Sequence, residues 1–419
     1  MLSTRRMKAK TAEGHSHTVG GFNMLPTPIL SQYALLGFHV GKHDQISYYE
    51  PTMLNVHAPN SAFICGSQGS GKSHTLNCFL ENCPLAGACT GKLRQPLAGL
   101  VFHYDIDSSG TLAETASLCL RGIKSNVEKF LLPPSELKTE RMYKLMACSE
   151  RSDAVPLYME VLQRILRQMA VLGQDRGFKY GEFLQLLDQA WLSTEQQRPM
   201  RLCLYLLHIL MRWPPSKMDL KNEKARQLLD LQPGTLTVVD LSDPFVDAAT
   251  VCTLFDICVS VAMEKRSECG KVVALDEAHK YIDQSPAATN FTDRLLPTIR
   301  EQRHIGAGVI ISTQELTISE KLLDLCSISI VHNFHSSAWF RSIHDHTGGA
   351  SGLVSSDKEE ATLFEQIVTL PVGESRVVAP SAFVCLGADG QPKKHRSAVL
   401  HIRTRSRLEI DAGVSLLAG

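Results

Sequence analysis

The sequence predicts an α/β fold with a mainly parallel sheet, and three observations lead to this prediction. Short apolar or β-branched runs recur along the 419 residues with helical patterns between them, an alternation typical of a parallel sheet covered by helices. One of these runs passes directly into a glycine-rich loop that opens a helical pattern. Other runs end in acidic or polar residues, as strands do where they reach a functional edge of a sheet.

The predicted strands divide the core into two parts, 36–137 and 231–380. They are the runs at 61–65, 97–107, 234–243, 271–279, 306–315 and 327–334, with a further short strand near 126–135 that prolines end. Helical patterns at 245–264 and 290–303 lie between the later runs. A fold of this kind needs a strand, a helix and a second strand in succession, and the core segments supply that order.

Three other regions complete the predicted organisation. Residues 138–230 carry apolar residues at helical spacing in three stretches, which predicts an all-helical insertion. Residues 381–419 are predicted to form a C-terminal β-hairpin or extension. They contain the end of ESRVVAPSAFVCLG and the whole of SAVLHIRTRSRLEI, two segments rich in β-branched residues. Residues 1–35 are predicted to be a disordered tail, with an organellar targeting segment as the weaker alternative because the first ten residues are basic.

The composition excludes some classes of function. The formal net charge is zero, so any contact with nucleic acid must come from a local basic patch. The 12 cysteines are scattered singly without a CxxC pair, which favours reduced core residues in a cytoplasmic or nuclear protein over a disulfide framework or zinc site. No apolar run is long enough to cross a bilayer, so no membrane partner is expected.

The glycine-rich loop, GSQGSGKS, matches the pattern G-x-x-x-x-G-K-[ST] at every position. Glycines allow the tight turn that aims backbone N–H groups at phosphate oxygens, and the following helix N-terminus favours negative charge. Lys72 is predicted to reach the β- and γ-phosphates of ATP, and Ser73 to ligate Mg²⁺. The predicted nucleotide-binding residues are Gly66, Ser67, Gln68, Gly69, Ser70, Gly71, Lys72, Ser73 and His74.

A pair of acids is the second part of the predicted site. In KVVALDEAHKYI, an apolar strand leads into Asp276 and Glu277. An acid at the tip of a buried strand beside the phosphate loop can hold magnesium, so Asp276 is the second predicted metal ligand. Glu277 is predicted to polarise the attacking water, which favours hydrolysis. Asp240, at the tip of LTVVDLSD, is a rival for the metal-binding acid, although no second acid stands next to it.

Polar residues at both ends of one further run complete the candidate site. GAGVIISTQE ends in Gln314, which can sense the γ-phosphate and position the water. Arg300 and Arg303 precede the same run, and an arginine supplied by a neighbouring subunit can stabilise charge on a transferring phosphoryl group. Two solvated arginines at a helix end are the alternative interpretation.

Taken together, these blocks resemble the HerA/FtsK superfamily of P-loop ATPases, and the HerA branch in particular. LQPGTLTVVDLSD, VVALDEAHKYI, TIREQRHIGAGVIISTQELTISEKLL and LPVGESRVVAP carry the resemblance in that order between about residues 50 and 400. It implies a RecA-like core, ATP and Mg²⁺ as ligands, hexameric rings and hydrolysis that pulls duplex DNA through a pore. It also implies that Gln314 is the sensor and that Arg303, eleven residues earlier, acts in trans, with Arg300 second.

Two departures from the family pattern leave open whether the protein acts on DNA or on another protein. Residues 1–65 are too few for the β-barrel that HerA proteins carry before the loop, and His304 stands where the family commonly has lysine. Two basic features favour phosphate contact: the turn QPKKHRS at 391–397, and Arg403, Arg405 and Arg407 on one face of a predicted strand. A solvated hairpin explains the same residues. The sequence therefore predicts either a ring-forming DNA translocase or an ATP-dependent regulator or protein remodeller that does not act on DNA.

Overall fold

The computed structural model describes sixteen stretches of the chain. They are residues 2–4, 32–41, 44–82, 91–106, 124–127, 137–147, 157–172, 178–211, 231–242, 246–264, 269–283, 285–315, 318–346, 357–386, 392–394 and 399–407. The strands are β1 (Leu2–Thr4), β2 (Tyr33–Val40), β3 (Ile46–Asn55), β4 (Ser61–Cys65), β5 (Gly91–Lys92), β6 (Ala98–His103), β7 (Lys124–Val127), β8 (Thr235–Asp240), β9 (Lys271–Leu275), β10 (Ala307–Thr313), β11 (Ile328–Val331), β12 (Glu374–Val378), β13 (Phe383–Leu386), β14 (Pro392–Lys394) and β15 (Val399–Thr404).

Helices cover this sheet and fill the predicted insertion. They are α1 (Lys72–Glu81), α2 (Thr139–Ala147), α3 (Leu157–Leu172), α4 (Tyr180–Asp188), α5 (Thr194–Met211), α6 (Ala248–Glu264), α7 (Pro286–Arg300), α8 (Gln302–Ile305), α9 (Glu320–Leu325), α10 (Ser337–His346) and α11 (Asp357–Val368). None of the helices in these described segments is both long and apolar enough to cross a bilayer.

A parallel half of the sheet forms the centre of the structure. Its strands lie in the order β11-β4-β10-β9-β6-β8-β7, and every neighbouring pair is parallel. All residues of β4, β9, β10 and β11 are buried, as expected of strands that helices cover on both faces. The predicted α/β fold with a parallel core is confirmed. The predicted core strands correspond to observed ones, except that β7 covers only 126 and 127 of the strand predicted near 126–135, whose other residues lie outside the described part of the chain.

An antiparallel half continues the same sheet. β12 pairs antiparallel with β11, and β15, β2 and β3 follow, so the predicted C-terminal strands do pair with each other through β12 and β15. The hairpin of β2 and β3 was not recognised in the sequence. Pro51 within β3 and two register irregularities in the pairing explain this, because they interrupt the regular alternation of a strand.

The chain before this hairpin departs in one place from the predicted disordered tail. Residues 2–4 form β1, which pairs with β3, and β2 begins at residue 33. Residues 5–31 lie outside the described part of the chain.

The insertion is helical where it is described, through α2 to α5, and residues 212–230 lie outside the described segments. Ion pairs attach α2 to the core helices. The buried carboxylate of Asp256 on α6 accepts from Lys144 Nζ at 2.9 Å and from Arg294 Nε at 2.7 Å, and Arg141 Nη2 donates to Glu264 at 2.7 Å. One continuous hydrophobic cluster contains residues of the insertion, of α6 and α7 and of the parallel strands, so the insertion shares the core of the parallel half of the sheet.

The prediction that Arg403, Arg405 and Arg407 form one basic strand face is wrong at Arg405. β15 ends at Thr404, so the two-residue period does not continue beyond it. The Arg403 side chain is half exposed and contacts Glu374, whereas the Arg405 side chain is only 4 % exposed. Of the basic turn at 391–397, only 392–394 are described, as β14.

Arg405 instead joins three elements in the interior. Its Nη1 lies 2.7 Å from Glu81 Oε2 at the end of α1, and the Glu81 side chain is fully buried. Its Nε donates to the Leu35 carbonyl of β2, and its Nη2 donates to the Cys78 carbonyl of α1. The main chain takes part as well, because Arg405 N donates to the Leu36 carbonyl at 3.0 Å. The loop-bearing helix is therefore tied to both neighbouring strands.

We expect Arg405→Met to lower the free energy of unfolding by about 3–5 kcal/mol, because it leaves the Glu81 carboxylate buried without its cation. Adding Glu81→Leu removes that charge, so the double variant should be less destabilised than Arg405→Met alone. Urea titration followed by circular dichroism measures both. Lys138→Met, which breaks an exposed pair with Glu264, is the matched control and should change the free energy by less than about 1 kcal/mol. Equal stability of Arg405→Met and wild type would contradict a structural role for the buried pair.

Candidate active site

The glycine-rich loop connects β4 to α1 and has the conformation its glycines allow. Gly69 and Gly71 have φ of 74° and 103°, in the left-handed region that disfavours other residues. A Cβ on Gly66 would lie 2.7 Å from His332 Cβ, and one on Gly71 would lie 3.0 Å from Gly373 N. The loop therefore needs glycine for two separate reasons, backbone conformation and the closeness of the residues behind it.

Those residues behind the loop form a platform that the motif analysis did not identify. Asn333 accepts a hydrogen bond from Ser67 N at its carbonyl, at 2.8 Å, and Gly373 N donates to the Ser70 carbonyl at 3.2 Å. His332 directly follows β11 and Asn333 comes next, so the platform lies at the carboxyl edge of the parallel strands. The polar end of SISIVHNF was the available signal, since that edge is where α/β sheets bind ligands.

His332 holds the platform together from inside the protein. Its Nδ1 donates to the Glu374 carbonyl at 2.9 Å, and its Nε2 accepts from the Thr75 hydroxyl at 3.0 Å. Complete burial, reinforced by the positive charge of Lys72 and opposed by the hydrogen bond to the Glu374 carbonyl, lowers the pKa of His332 to about 3. The imidazole is therefore neutral at physiological pH, with the single tautomer that these two partners require.

Lys72, the motif lysine, is buried at the start of α1 with its Nζ folded into the loop. The ammonium donates to the Ser67 carbonyl at 2.9 Å. Burial lowers the pKa of Lys72, and the negative charges of Glu277 and Asp276 oppose that shift. The charges of these two carboxylates therefore act on the lysine.

Ser73 and His74 follow in the first turn of α1. Ser73 is half-buried, and its role as a metal ligand stays a prediction. His74 Nε2 instead bonds the Arg405 carbonyl at 2.8 Å, which holds the imidazole against the end of β15. The structure does not support a nucleotide contact by the His74 side chain.

Asp276 follows β9 and presents one unpaired oxygen to the site. Its side chain is 4 % exposed, its Oδ2 lies 3.1 Å from His103 Nδ1, and its Oδ1 has no hydrogen-bond partner among the described residues. A buried carboxylate oxygen without a partner can coordinate a divalent cation directly or accept a hydrogen bond from a water bound to the cation. Among the described residues, no group of three or more His, Cys, Asp or Glu could hold a metal ion.

The strand order determines how far each acid lies from the loop. β10 lies between the loop strand β4 and the acid strand β9, so β9 is two strand spacings from β4. Asp240 is farther away, because β8 lies beyond β6, four strand spacings or about 19 Å from β4. Asp240 Oδ1 also accepts from Ser242 N. This geometry favours Asp276 over Asp240 as the acid nearest the loop.

The intervening strand brings Gln314 into contact with Glu277. Gln314 Nε2 donates to Glu277 Oε2 at 2.9 Å, and Gln314 N donates to His279 Nδ1 at 3.3 Å. Burial and the charge of Asp276 raise the pKa of Glu277 above its ordinary value, although Lys72 and the Gln314 hydrogen bond oppose the shift. The two predicted residues thus meet, and the carboxyl group becomes a stronger base than an exposed glutamate.

Glu277 also has an unusual backbone. Its φ and ψ are both 46°, in the left-handed region, and a 3₁₀ turn begins at Ala278. Such a conformation in a residue other than glycine costs of order 1–3 kcal/mol and concentrates at active sites.

Arg300 and Arg303 lie at the opposite end of the sheet. Both are exposed, at the end of α7 and in α8, before the amino end of β10. Gln314 follows the carboxyl end of that strand, whose seven residues extend about 23 Å. Neither arginine can reach the loop of its own chain, so the structure brings together Lys72, Asp276, Glu277 and Gln314 but not the arginines.

The fold and this loop define the class: the chain has the α/β fold of RecA-like P-loop ATPases. Its structure is similar to that of VirB4 of Thermoanaerobacter pseudethanolicus, with a TM-score of 0.56 and 13% identity over 90% of this chain and 97% of that one. At this identity the likeness shows the fold alone, and it agrees with the predicted fold. The resemblance to the HerA/FtsK superfamily agrees with this fold, and the likeness extends no further than the fold.

Two further solved structures are less similar to this chain, and no conclusion is based on them. EssC (ATPases 2 and 3) from Geobacillus thermodenitrificans has a TM-score of 0.37 and 14% identity over 90% of this chain and 46% of that one. The genome packaging NTPase B204 from Sulfolobus turreted icosahedral virus 2, in complex with ATP-gammaS, has a TM-score of 0.33 and 10% identity over 82% and 98% of the two chains. No protein-family model matches the sequence, and no curated protein matches it.

Proposed function

We propose that this protein is a Mg²⁺-dependent ATP hydrolase of the HerA/FtsK type, a ring-forming motor that moves along duplex DNA. The observation that supports hydrolysis best is the convergence of four side chains at one edge of the sheet. Lys72, Asp276, Glu277 and Gln314 follow three neighbouring strands, and each has the chemistry that one part of the reaction needs. A scaffold that only bound nucleotide would not need the base.

The binding residues act through charge and backbone donors. The N–H groups of the loop 66–73 and the Lys72 ammonium bind the phosphates, with Lys72 exchanging the Ser67 carbonyl for a phosphate oxygen. Ser73 and the unpaired Oδ1 of Asp276 would hold Mg²⁺, which neutralises negative charge on the β- and γ-phosphates when bound. The loop glycines keep the donors close to the phosphates.

Glu277 and Gln314 act on the water. The Glu277 carboxylate accepts a proton from the attacking water as it approaches the γ-phosphate, and its raised pKa strengthens it as a base. The Gln314 amide, now bonded to Glu277, is placed to orient either the water or a phosphate oxygen.

Glu277→Gln should reduce ATP turnover by about 10²- to 10⁴-fold while ATP affinity stays near that of wild type, because the amide keeps the shape and loses the base. Steady-state hydrolysis and a fluorescent ATP titration measure the two quantities. Glu315→Gln removes an exposed carboxylate two residues from the strand end and should leave both unchanged. Normal turnover in Glu277→Gln would contradict the assignment of the base.

The exposed arginines support an active site shared between subunits. Arg303 lies too far from the loop of its own chain to contact ATP bound there. Its side chain is exposed to solvent, so it can reach ATP bound by a neighbouring subunit, and Arg300 is the second candidate for this role. A ring of subunits, with six as the family number, satisfies this geometry at every interface.

Arg303→Ala and Lys72→Ala should each be inactive alone, and mixtures should regain part of the ATPase activity. A mixed ring pairs an intact loop on one subunit with an intact arginine on the next. Hydrolysis across a series of mixing ratios measures the recovery, and Arg300→Ala mixed with Lys72→Ala tests the second candidate. Zero recovery at every ratio for both arginines would argue against a shared site.

The alternative function is an ATP-dependent regulator or protein remodeller that does not act on DNA. One structural observation favours it: Arg405 is buried in an ion pair, so the predicted row of phosphate-contacting arginines is interrupted. The zero net charge also gives no general attraction to a polyanion. DNA contact would then depend on loops that the sequence does not mark.

If the protein moves along DNA, duplex DNA should stimulate ATP hydrolysis, and the stimulation should fall steeply between 50 and 200 mM salt, since phosphate contacts release counterions. Steady-state hydrolysis with DNA, with heparin and without polymer measures this. Heparin is the polyanion control and should not stimulate. Turnover that is indifferent to DNA at both salt concentrations would favour the protein-directed alternative.

A further inference from the structure

We propose that His103 is a positioning residue for the metal ligand Asp276: it binds one carboxylate oxygen and thereby leaves the other directed to the divalent cation. The inference rests on the proposed function, because it assigns a role within the same magnesium site. His103 is the last residue of β6, and no motif in the sequence identified it.

The sheet itself brings the two side chains together. β6 and β9 are parallel neighbours in which Phe102 and Leu275 are register partners. One residue further, Asp276 N donates to the Phe102 carbonyl at 2.9 Å, which fixes the backbone of the acid. The side chains of His103 and Asp276 therefore leave their strands at the same level, where Nδ1 and Oδ2 lie 3.1 Å apart.

The chemistry of this contact determines the imidazole tautomer. An ionised carboxylate only accepts hydrogen bonds, so His103 Nδ1 carries the proton and donates it to Oδ2. Both side chains are largely buried, at 12 % and 4 % exposure, so water does not readily replace either partner. Loss of the imidazole donor would leave a second unsatisfied oxygen in the interior, and the carboxylate would turn to satisfy it.

A second carboxylate stands behind the imidazole. Asp240 is the register partner of His103 on β8, on the side away from Asp276. Its own carboxylate is held by Ser242 N at 2.9 Å, so its negative charge stays beside the imidazole and favours the donor role of His103. The rival acid of the sequence analysis thus contributes through His103 rather than as a metal ligand.

The result is a carboxylate with two unequal oxygens. Oδ2 is occupied by His103, and Oδ1 has no partner among the described residues, so a single oxygen is available to the cation or its bound water. Groups that orient a metal ligand in this way typically contribute a factor of 10 to 100 to metal affinity.

The test is a Mn²⁺ titration of the full chain, followed by electron paramagnetic resonance, in the presence of a non-hydrolysable ATP analogue. His103→Leu removes the donor and should weaken Mn²⁺ binding by about 10- to 100-fold. In His103→Asn the amide nitrogen can take the place of Nδ1, so the Mn²⁺ affinity of this variant should stay within about threefold of the wild-type affinity. Binding of the analogue without metal, measured in EDTA, should be the same in all three proteins.

Controls separate the possible failures. His57→Leu, at an exposed histidine far from the loop, should bind Mn²⁺ as wild type does. If His103→Leu does not fold, as judged by circular dichroism, His103→Ala replaces it with the same expectation. Equal Mn²⁺ affinity in the donor-free variant and wild type, or equal weakening in His103→Asn, would overturn the role of His103. If Asp276→Asn also bound Mn²⁺ like wild type, the proposed magnesium site itself would fail.

Discussion

The buried ion pair between Arg405 and Glu81 is the contact on which the arrangement of the two sheet halves depends. Helix α1 starts at the phosphate loop and ends at Glu81, so its position determines where the loop amides point. Arg405 fixes the far end of that helix to β2 and β15 through side-chain and main-chain bonds. Removing either partner alone leaves a buried charge, so α1, β2 and β15 must assemble together.

At the other end of α1, neutral groups rather than charges support the loop. Thr75 is bonded to both Thr404 and His332, and His332 is bonded to the Glu374 carbonyl. Each hydroxyl and imidazole nitrogen in this chain of hydrogen bonds has a partner, which makes the arrangement rigid in the low dielectric of the interior. The antiparallel strands β12 and β15 therefore contribute directly to the edge of the sheet that carries the glycine-rich loop, although they carry none of the predicted motif residues.

Local sequence patterns predicted the strands and helices of the core but not which strands pair with each other. The strands ending at Cys65 and Leu275, and the residues Lys72, Asp276, Glu277 and Gln314, follow from short apolar runs with a distinctive polar end. The position of β10 between β4 and β9 depends on long-range pairing, which no local pattern encodes.

The same difference explains the residues that sequence reasoning missed. His332 contacts Thr75, in the helix that follows the loop, across 257 residues of sequence. His103 is notable only because β6 lies beside β9. Arg405 was misassigned because the two-residue period holds only while the chain remains in the sheet, and β15 ends one residue earlier.

The left-handed backbone of Glu277 has a consequence for how this protein tolerates mutation. A glycine or asparagine would occupy that conformation with less strain than glutamate, so the fold by itself favours a residue that cannot act as a base. Such a substitution would relieve the backbone strain and remove the carboxylate at the same time. Under the proposed function, stability and activity therefore oppose each other at this position.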